Sequence, residues 1–237
     1  MNKKYIPLIA GVFSAAMAQS AYAMPTVFDF TASNLGVADS TAYNSVGMTV
    51  DGISLGITAY TIDNDGNGNI SNMTQVTGNG AGVYVSSSEN LGVFLGGNND
   101  GHSMDGGDPG SNTDFDEGLM FIFDQQVTLT YVNFDNWGVS DDFNLTVDGI
   151  TKLVDYHATH AATSFVSPVS GQADEYAFDL TGTEFLFWAD GDSDSFRIDY
   201  LEVSAVTGNV PVPAPLFLLS AGLIGLGYSR YNRKTEK

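Results

Sequence analysis

The sequence predicts an all-β protein, an antiparallel β-sandwich of jelly-roll type, and three observations carry that expectation. Short runs rich in Val, Ile, Phe, Tyr and Thr recur between Thr26 and Val206, and these residue types suit a pleated, half-buried strand. Most runs alternate apolar with polar residues, the period of a strand with one face in a core. Gly, Asn, Asp and Ser separate the runs, with Asp51-Gly52, Asp65-Gly66 and Asp148-Gly149 as turn dipeptides. No amphipathic helix is evident in this span. No strict repeat appears either, which argues against a propeller or solenoid.

Residues 1–23 form the first element. "MNKKYIPLIAGVFSAAMAQSAYAM" opens with Lys3 and Lys4, continues through a short apolar run and reaches Ala21-Tyr22-Ala23. A positive start, an apolar middle and a small-x-small site define a secretory signal peptide, cut after Ala23. The Sec export machinery and signal peptidase are the expected partners. Residues 24–207 then form the body. Its expected strands are "TVFDF", "GISLGITAYTI", "GVYV", "NLGVFL", "GLMFIF", "VTLTYVNF", "FNLTVDGI", "TSFVS", "EYAFDL", "EFLFWA" and "FRIDYLEV". In "VTLTYVNF" strict alternation puts Val127, Leu129, Tyr131 and Asn133 on one face, and Thr128, Thr130, Val132 and Phe134 on the other. "FNLTVDGITKLVDY" is expected to be a hairpin turning at Asp148-Gly149.

The C-terminal elements are a proline-rich linker (208–215), an apolar helix (216–231) and a basic tail (232–237). Pro211, Pro213 and Pro215 keep the linker extended. About 16 apolar residues would make a helix of roughly 24 Å, slightly short of the ~30 Å hydrocarbon core. Arg230, Arg233, Lys234 and Lys237 hold this end in the cytoplasm by the positive-inside rule. The body would then lie beyond the inner membrane, tethered by an accessible peptide.

"VPVPAP", "LFLLSAGLIGLG" and the basic end together resemble the PEP-CTERM sorting signal of Gram-negative bacteria. Pro213-Ala214-Pro215 stands where that signal has Pro-Glu-Pro, so this is similar to its "VPVPA" or "VPLPA" variant. The resemblance covers about a tenth of the chain and implies processing by an exosortase-type membrane protease. It also implies a transient inner-membrane anchor, then a place at the cell surface or in extracellular polysaccharide and biofilm matrix. "NLGVFLGGNNDGHSMDGG" and "DFDEGLMFIFDQQVTL" loosely resemble body domains of other proteins bearing that signal.

Charge bounds the partners. The net charge is −20, and of the 28 acids only Glu236 lies outside Met24–Asn209, a span whose bases are Lys152 and Arg197. Such a surface repels phosphate, so nucleic acid is excluded as a partner. It would attract divalent or cationic partners, or simply keep an exported protein dispersed. Without cysteine there is no disulfide, thiolate metal site or cysteine nucleophile.

Four acidic segments could carry a site. In "DNDGNGNI", Asp63, Asp65, Asn67 and the Asn69 carbonyl fall at positions 1, 3, 5 and 7 of a calcium loop, with Gly68 at the turn. Thr74 stands where the bidentate Glu belongs. A Ca2+ loop and an Asx- and Gly-rich turn between strands both remain open. In "GGNNDGHSMDGGDPGSNTDFDEG", Asp100, Asp105, Asp108, Asp114, Asp116 and Glu117 crowd together and repel unless solvated or bridged by a cation, so a disordered loop and a calcium-ordered loop both remain open. "WADGDSDSF" sets Trp188 beside Asp190, Asp192 and Asp194, and "FDNWGVSDDF" sets Trp137 beside Asp141 and Asp142. An exposed ring beside carboxylates suits a sugar, whereas a buried ring belongs to the core. His157 and His160 face together only on a helix, which weakens a zinc reading. No G-x-S-x-G or H-E-x-x-H motif is present.

Three functions are compatible with this pattern. The first is a noncatalytic, calcium-stabilised surface or matrix protein. The second is a carbohydrate-binding module using Trp137 or Trp188, with Asp190 and Asp192. The third is a glycan hydrolase.

Overall fold

A computed structural model describes residues 24–65, 67–78, 80–88, 90–96, 102–105, 116–138, 140–157, 162–170, 174–190 and 194–206. The signal segment with Ala21 and Ala23, and the C-terminal segment with Pro213, Ala214 and Pro215, lie outside the described residues. Among the described residues no helix is long and apolar enough to cross a membrane.

The described body is all-β, with every strand pairing antiparallel. In chain order the strands are β1 (Thr26–Asp29), β2 (Thr41–Tyr43), β3 (Val46–Val50), β4 (Ile53–Asn64), β5 (Ile70–Gln75), β6 (Gly82–Ser86) and β7 (Asn90–Phe94). They continue with β8 (Met104–Asp105), β9 (Asp116–Asp135), β10 (Phe143–Val147), β11 (Ile150–Tyr156), β12 (Val166–Pro168), β13 (Glu175–Trp188) and β14 (Ser195–Ala205). A single helical turn, α1 (Ala32–Leu35), follows β1 and ends on Gly36. The strands form one hydrogen-bonded sheet in the order β11-β10-β13-β9-β14-β7-β6-β2. Strand β4 pairs with β9, while β3 and β5 both pair with β4.

This sheet folds over into a sandwich-like body because β9 and β13 bend at their middles. Ile122 stands opposite Glu184, but Val127 stands opposite Gly182, so residues 123–126 of β9 span the step that Thr183 makes alone. Beyond the bend β9 changes partner from β4 to β14. The two halves of β9 face one another. Phe134, near one end, meets Phe187 at 5.9 Å between ring centroids, and Phe187 is the register partner of Leu119 near the other end.

Asp148 fastens this bend. Its Oδ1 accepts the backbone N–H groups of Thr183 and Glu184 at 2.9 Å each, and the Thr183 hydroxyl at 3.0 Å. Burial works against the charge on this carboxyl, but those donors and the Lys152 charge outweigh it, and its pKa lies below the ordinary value. The expected hairpin is present: Asp148 and Gly149 have φ of 48° and 76°, the left-handed pair that a two-residue turn requires.

Several expectations are corrected. "GLMFIF" and "VTLTYVNF" belong to one strand, β9, and "EYAFDL" and "EFLFWA" to another, β13. The alternation expected in "VTLTYVNF" breaks at Thr130, which bulges between the Val203–Leu129 and Glu202–Tyr131 pairs. Val127, Leu129, Val132 and Phe134 therefore all face the core. Strands β2, β3, β5 and β8 were not expected from the sequence.

A second, smaller apolar cluster lies apart from the main core. It holds Ile62, Leu186 and Trp188, with Tyr60, Ile70, Met73 and Met120 packed around them. The β4–β5 hairpin reaches across to β11, where the Thr151 hydroxyl donates to the Gly68 carbonyl at 3.0 Å. A Cβ on Gly68 would stand 2.3 Å from a methyl of Val154, so only glycine fits under this crossing.

The register also defines two poles. Thr26 pairs with Val203, and the Val206 N–H donates to the Gln126 carbonyl at 3.3 Å. Met24, Gln125 and Ala205 line one shallow cleft with Thr26, Asp51 and Ile53. Both ends of the described body therefore leave beside the bend of β9. The opposite pole collects the two ends of β9, the two ends of β13, the start of β14, and β8.

Candidate functional site

That opposite pole is where the acids converge. Strand β4 ends there with Asn64, whose Nδ2 donates to Asp116 and, at 3.1 Å, to Asp190 Oδ1. These contacts join the end of β4, the start of β9 and the end of β13. Beside them the Asp105 N–H donates to Glu117 Oε2 at 3.2 Å. Asp116 and Glu117 are both buried, as strand residues at the end of a folded-over sheet become when other segments cover them.

The loop after β9 contributes Trp137, Asp141 and Asp142. Asp141 closes its own turn by accepting the Gly138 N–H at 2.5 Å. The Asp142 N–H donates to Asp194 Oδ1 at 3.1 Å, and Asp194 is only 4% exposed. Asn144 is fully buried; its Oδ1 accepts the Asp155 N–H at 3.1 Å, while its Nδ2 has no hydrogen-bond partner. Burial is the main cause that raises the pKa of Asp190, with Asp155 adding to it and the Asn64 hydrogen bond opposing it.

The structure sorts the residues nominated from sequence. Asp105, Asp116, Glu117, Trp137, Asp141, Asp142, Asp190 and Asp194 all come to this pole. Asp108, Asp114 and Asp192 lie outside the described residues. The "DNDGNGNI" segment is a β-hairpin loop, and its oxygens are turned onto its own donors. Asp65 Oδ1 accepts the N–H groups of Asn67 and Asn69 at 3.0 and 3.2 Å, and Oδ2 accepts Asn69 Nδ2 at 2.9 Å. The Asn69 carbonyl accepts the Asp65 N–H at 3.2 Å, and Asp63 Oδ2 accepts Asn72 Nδ2 at 3.2 Å. These bonds, led by that of the Asn69 side chain, hold the Asp65 carboxyl below its ordinary pKa. This is the Asx-turn arrangement. Among the described residues, no group of three or more His, Asp or Glu side chains is placed to hold a metal ion.

The tryptophans need a correction. Trp188 is fully buried in the smaller apolar cluster and has no ring face for a sugar. It points there because it shares a strand face with Leu186 beneath the β4–β5 crossing. Trp137 is half-buried among Phe134, Phe143, Tyr176 and Phe196, and His157 stacks on it at 6.4 Å with planes 17° apart.

Sequence reasoning missed Asn64, Asn144 and Asp155 as members of this pole. The local signal for Asp142 and Asp194 was present: each is followed within two residues by an aromatic in the first two positions of a strand, Phe143 and Phe196.

Fold and site together define the class, an all-β, sandwich-like protein with an acid-rich pole. No family model matches the chain, and no curated protein or solved structure is significantly similar to it.

Proposed function

We propose that this chain is an exported, noncatalytic cell-surface or matrix protein, built on a jelly-roll-type sandwich, sorted by an exosortase-type protease and stabilised by calcium. The observation that carries this reading is the C-terminal succession of "VPVPAP", an apolar run and a basic tail. The position of the chain ends supports it. Val206, from which the linker continues, lies at the pole opposite the acids. A tether at that position would turn the acid-rich pole away from the membrane. In this reading calcium belongs to the acidic 97–117 segment as a whole, whose described members Asp105, Asp116 and Glu117 do not by themselves form a three-residue metal group. A carbohydrate-binding role has Trp137 alone to carry it, because Trp188 is buried.

The intact mass of the protein recovered outside the cell tests the sorting. The expected mass corresponds to cleavage after Ala23 and near Pro213. A full-length chain confined to the cytosol would overturn the proposal. Calcium is tested by thermal unfolding with and without EDTA. Chelation is expected to lower the midpoint by several degrees, on the order of 1–3 kcal/mol by mass action. An unchanged midpoint removes calcium from the reading while leaving the sorting to stand.

A further inference from the structure

Beyond its bend β9 lies between β14 and β13, and the outward side of these three strands carries a pair of tyrosines. Val132, Phe134, Tyr176, Phe178 and Leu201 face the core, so the residues alternating with them point outward. Register sets those outward side chains in rows across the strands. Glu202, Tyr131 and Ala177 form one row, and Tyr200, Asn133 and Glu175 form the next.

Tyr131 and Tyr200 are diagonal neighbours in these rows. Their ring centroids lie 5.7 Å apart and their planes differ by only 10°. The Tyr131 hydroxyl donates to Glu175 Oε2, so that ring is fixed at its tip as well as at its backbone. Both tyrosines are half-buried and keep part of each ring toward solvent. Ala177 is exposed and short, which leaves room beside the Tyr131 ring. The two glutamates flank the rings. Of the two bases in the body, Lys152 lies on β11, and Arg197 directs its Nε to the His102 carbonyl at 3.3 Å.

We propose that this tyrosine face is a carbohydrate-binding site that takes an uncharged polysaccharide chain. Fixed tyrosine rings offer a large, rigid, amphipathic contact at small entropic cost, which suits the C–H faces of a sugar ring. Carboxylates accept hydrogen bonds and an amide both donates and accepts, so Glu175, Glu202 and Asn133 match a row of hydroxyls. A few placed polar groups around an apolar contact are the usual composition of a ligand site.

Charge selects among occupants. An acidic polysaccharide is repelled by the glutamates. A second copy of this chain would set Glu175 and Glu202 against their equals. A cationic chain would be drawn to the whole protein, whose net charge is −20, and has no need of this face. A neutral sugar chain meets no repulsion, and its hydroxyls donate where the carboxylates only accept. The tryptophans nominated from sequence take no part in this face, and the site stands whether or not the C-terminal segment is processed.

The test is affinity electrophoresis of the full chain with EDTA, in a nonionic detergent that has no sugar headgroup. Separate gels hold hydroxyethylcellulose, galactomannan or dextran as neutral polymers, alginate as an acidic one and diethylaminoethyl-dextran as a cationic one. At least one neutral polymer is expected to retard the wild type, and alginate should not. Tyr131→Ala and Tyr200→Ala should each weaken the retardation at least tenfold, while Ile150→Ser on β11 should match the wild type. Absence of retardation by all three neutral polymers would overturn the proposal, as would retardation by the cationic polymer alone. Retardation that survives both tyrosine variants would do the same. Should the tyrosine variants fail to fold, Ala177→Arg decides the matter, because it opens no cavity and lays a long side chain beside the Tyr131 ring. Loss of retardation in that variant supports the site, and wild-type retardation refutes it.

Discussion

Phe134→Ala is expected to lower the free energy of unfolding by about 4 kcal/mol, within the range for deleting a buried phenylalanine ring. Phe134 is buried near the end of β9 and meets five other rings. Their centroids lie at 5.0 Å for Trp137 and Phe143, 5.3 Å for Phe196, 5.6 Å for Tyr176 and 5.9 Å for Phe187. These rings belong to β10, both halves of β13, β14 and the loop after β9, so one side chain ties the two layers together at the acid-rich pole. Each partner is fixed by its own strand pairing, and a cavity at position 134 would therefore stay largely open. Several of the contacts are edge-to-face, which adds about 0.5–1.5 kcal/mol per pair beyond burial. Against a usual stability of about 5–15 kcal/mol, the loss is a large share. Urea unfolding measures it, and Phe134→Leu should recover more than half. A loss below about 1 kcal/mol would mean that the layers do not depend on this ring for their packing.

The fold class was legible because the cues it needs are local. Strands β1, β4, β6, β7, β10, β11 and β14 each contain an apolar, alternating run, and Asp148-Gly149 specifies its hairpin through backbone conformation alone. The long strands were hidden by their own bends. Asp124-Gln125-Gln126 and Thr181-Gly182-Thr183 have the composition of a turn, yet the ladder runs on around each bend because Asp148 satisfies the corner. Strand β5, "ISNMTQ", is mostly exposed and exists through its pairing with β4. Strand β2 exists through its pairing with β6, 40 to 44 residues away. The same reasoning separates the acids of the pole. That Asp105, Asp116 and Glu117 lie close together could be read from their spacing. The contacts of Asn64 with Asp190 and of Asp142 with Asp194 depend on the whole sheet folding over, and no local pattern encodes them.

Gly92→Ala is expected to cost about 3 kcal/mol, the upper part of the range for overpacking a close-fitting site. A Cβ built on Gly92 would stand 1.8 Å from the His102 carbonyl oxygen, 2.8 Å from its carbon and 3.3 Å from the Ser103 Cα. All three atoms are backbone, so no side-chain rotation can relieve the collision. Either β7 or the 102–105 segment must move. That segment is held in several ways. The His102 ring stacks on Tyr84 at 4.1 Å and leans on Phe94 at 4.8 Å, and Arg197 Nε donates to the His102 carbonyl at 3.3 Å. Met104 is fully buried, and β8 pairs with β14 at Ser195 and Phe196. Displacing β8 would also move the Asp105 N–H away from Glu117, so the damage should reach the acid-rich pole. Urea unfolding should show the lost stability, and hydrogen exchange at Asp105 should show faster opening than in the wild type. If Gly92→Ala unfolds within about 1 kcal/mol of the wild type, the 102–105 segment yields easily and β8 is not a fixed wall of the pole. A large loss with unchanged exchange at Asp105 would instead place the movement in β7, whose Leu91 and Val93 are both core residues.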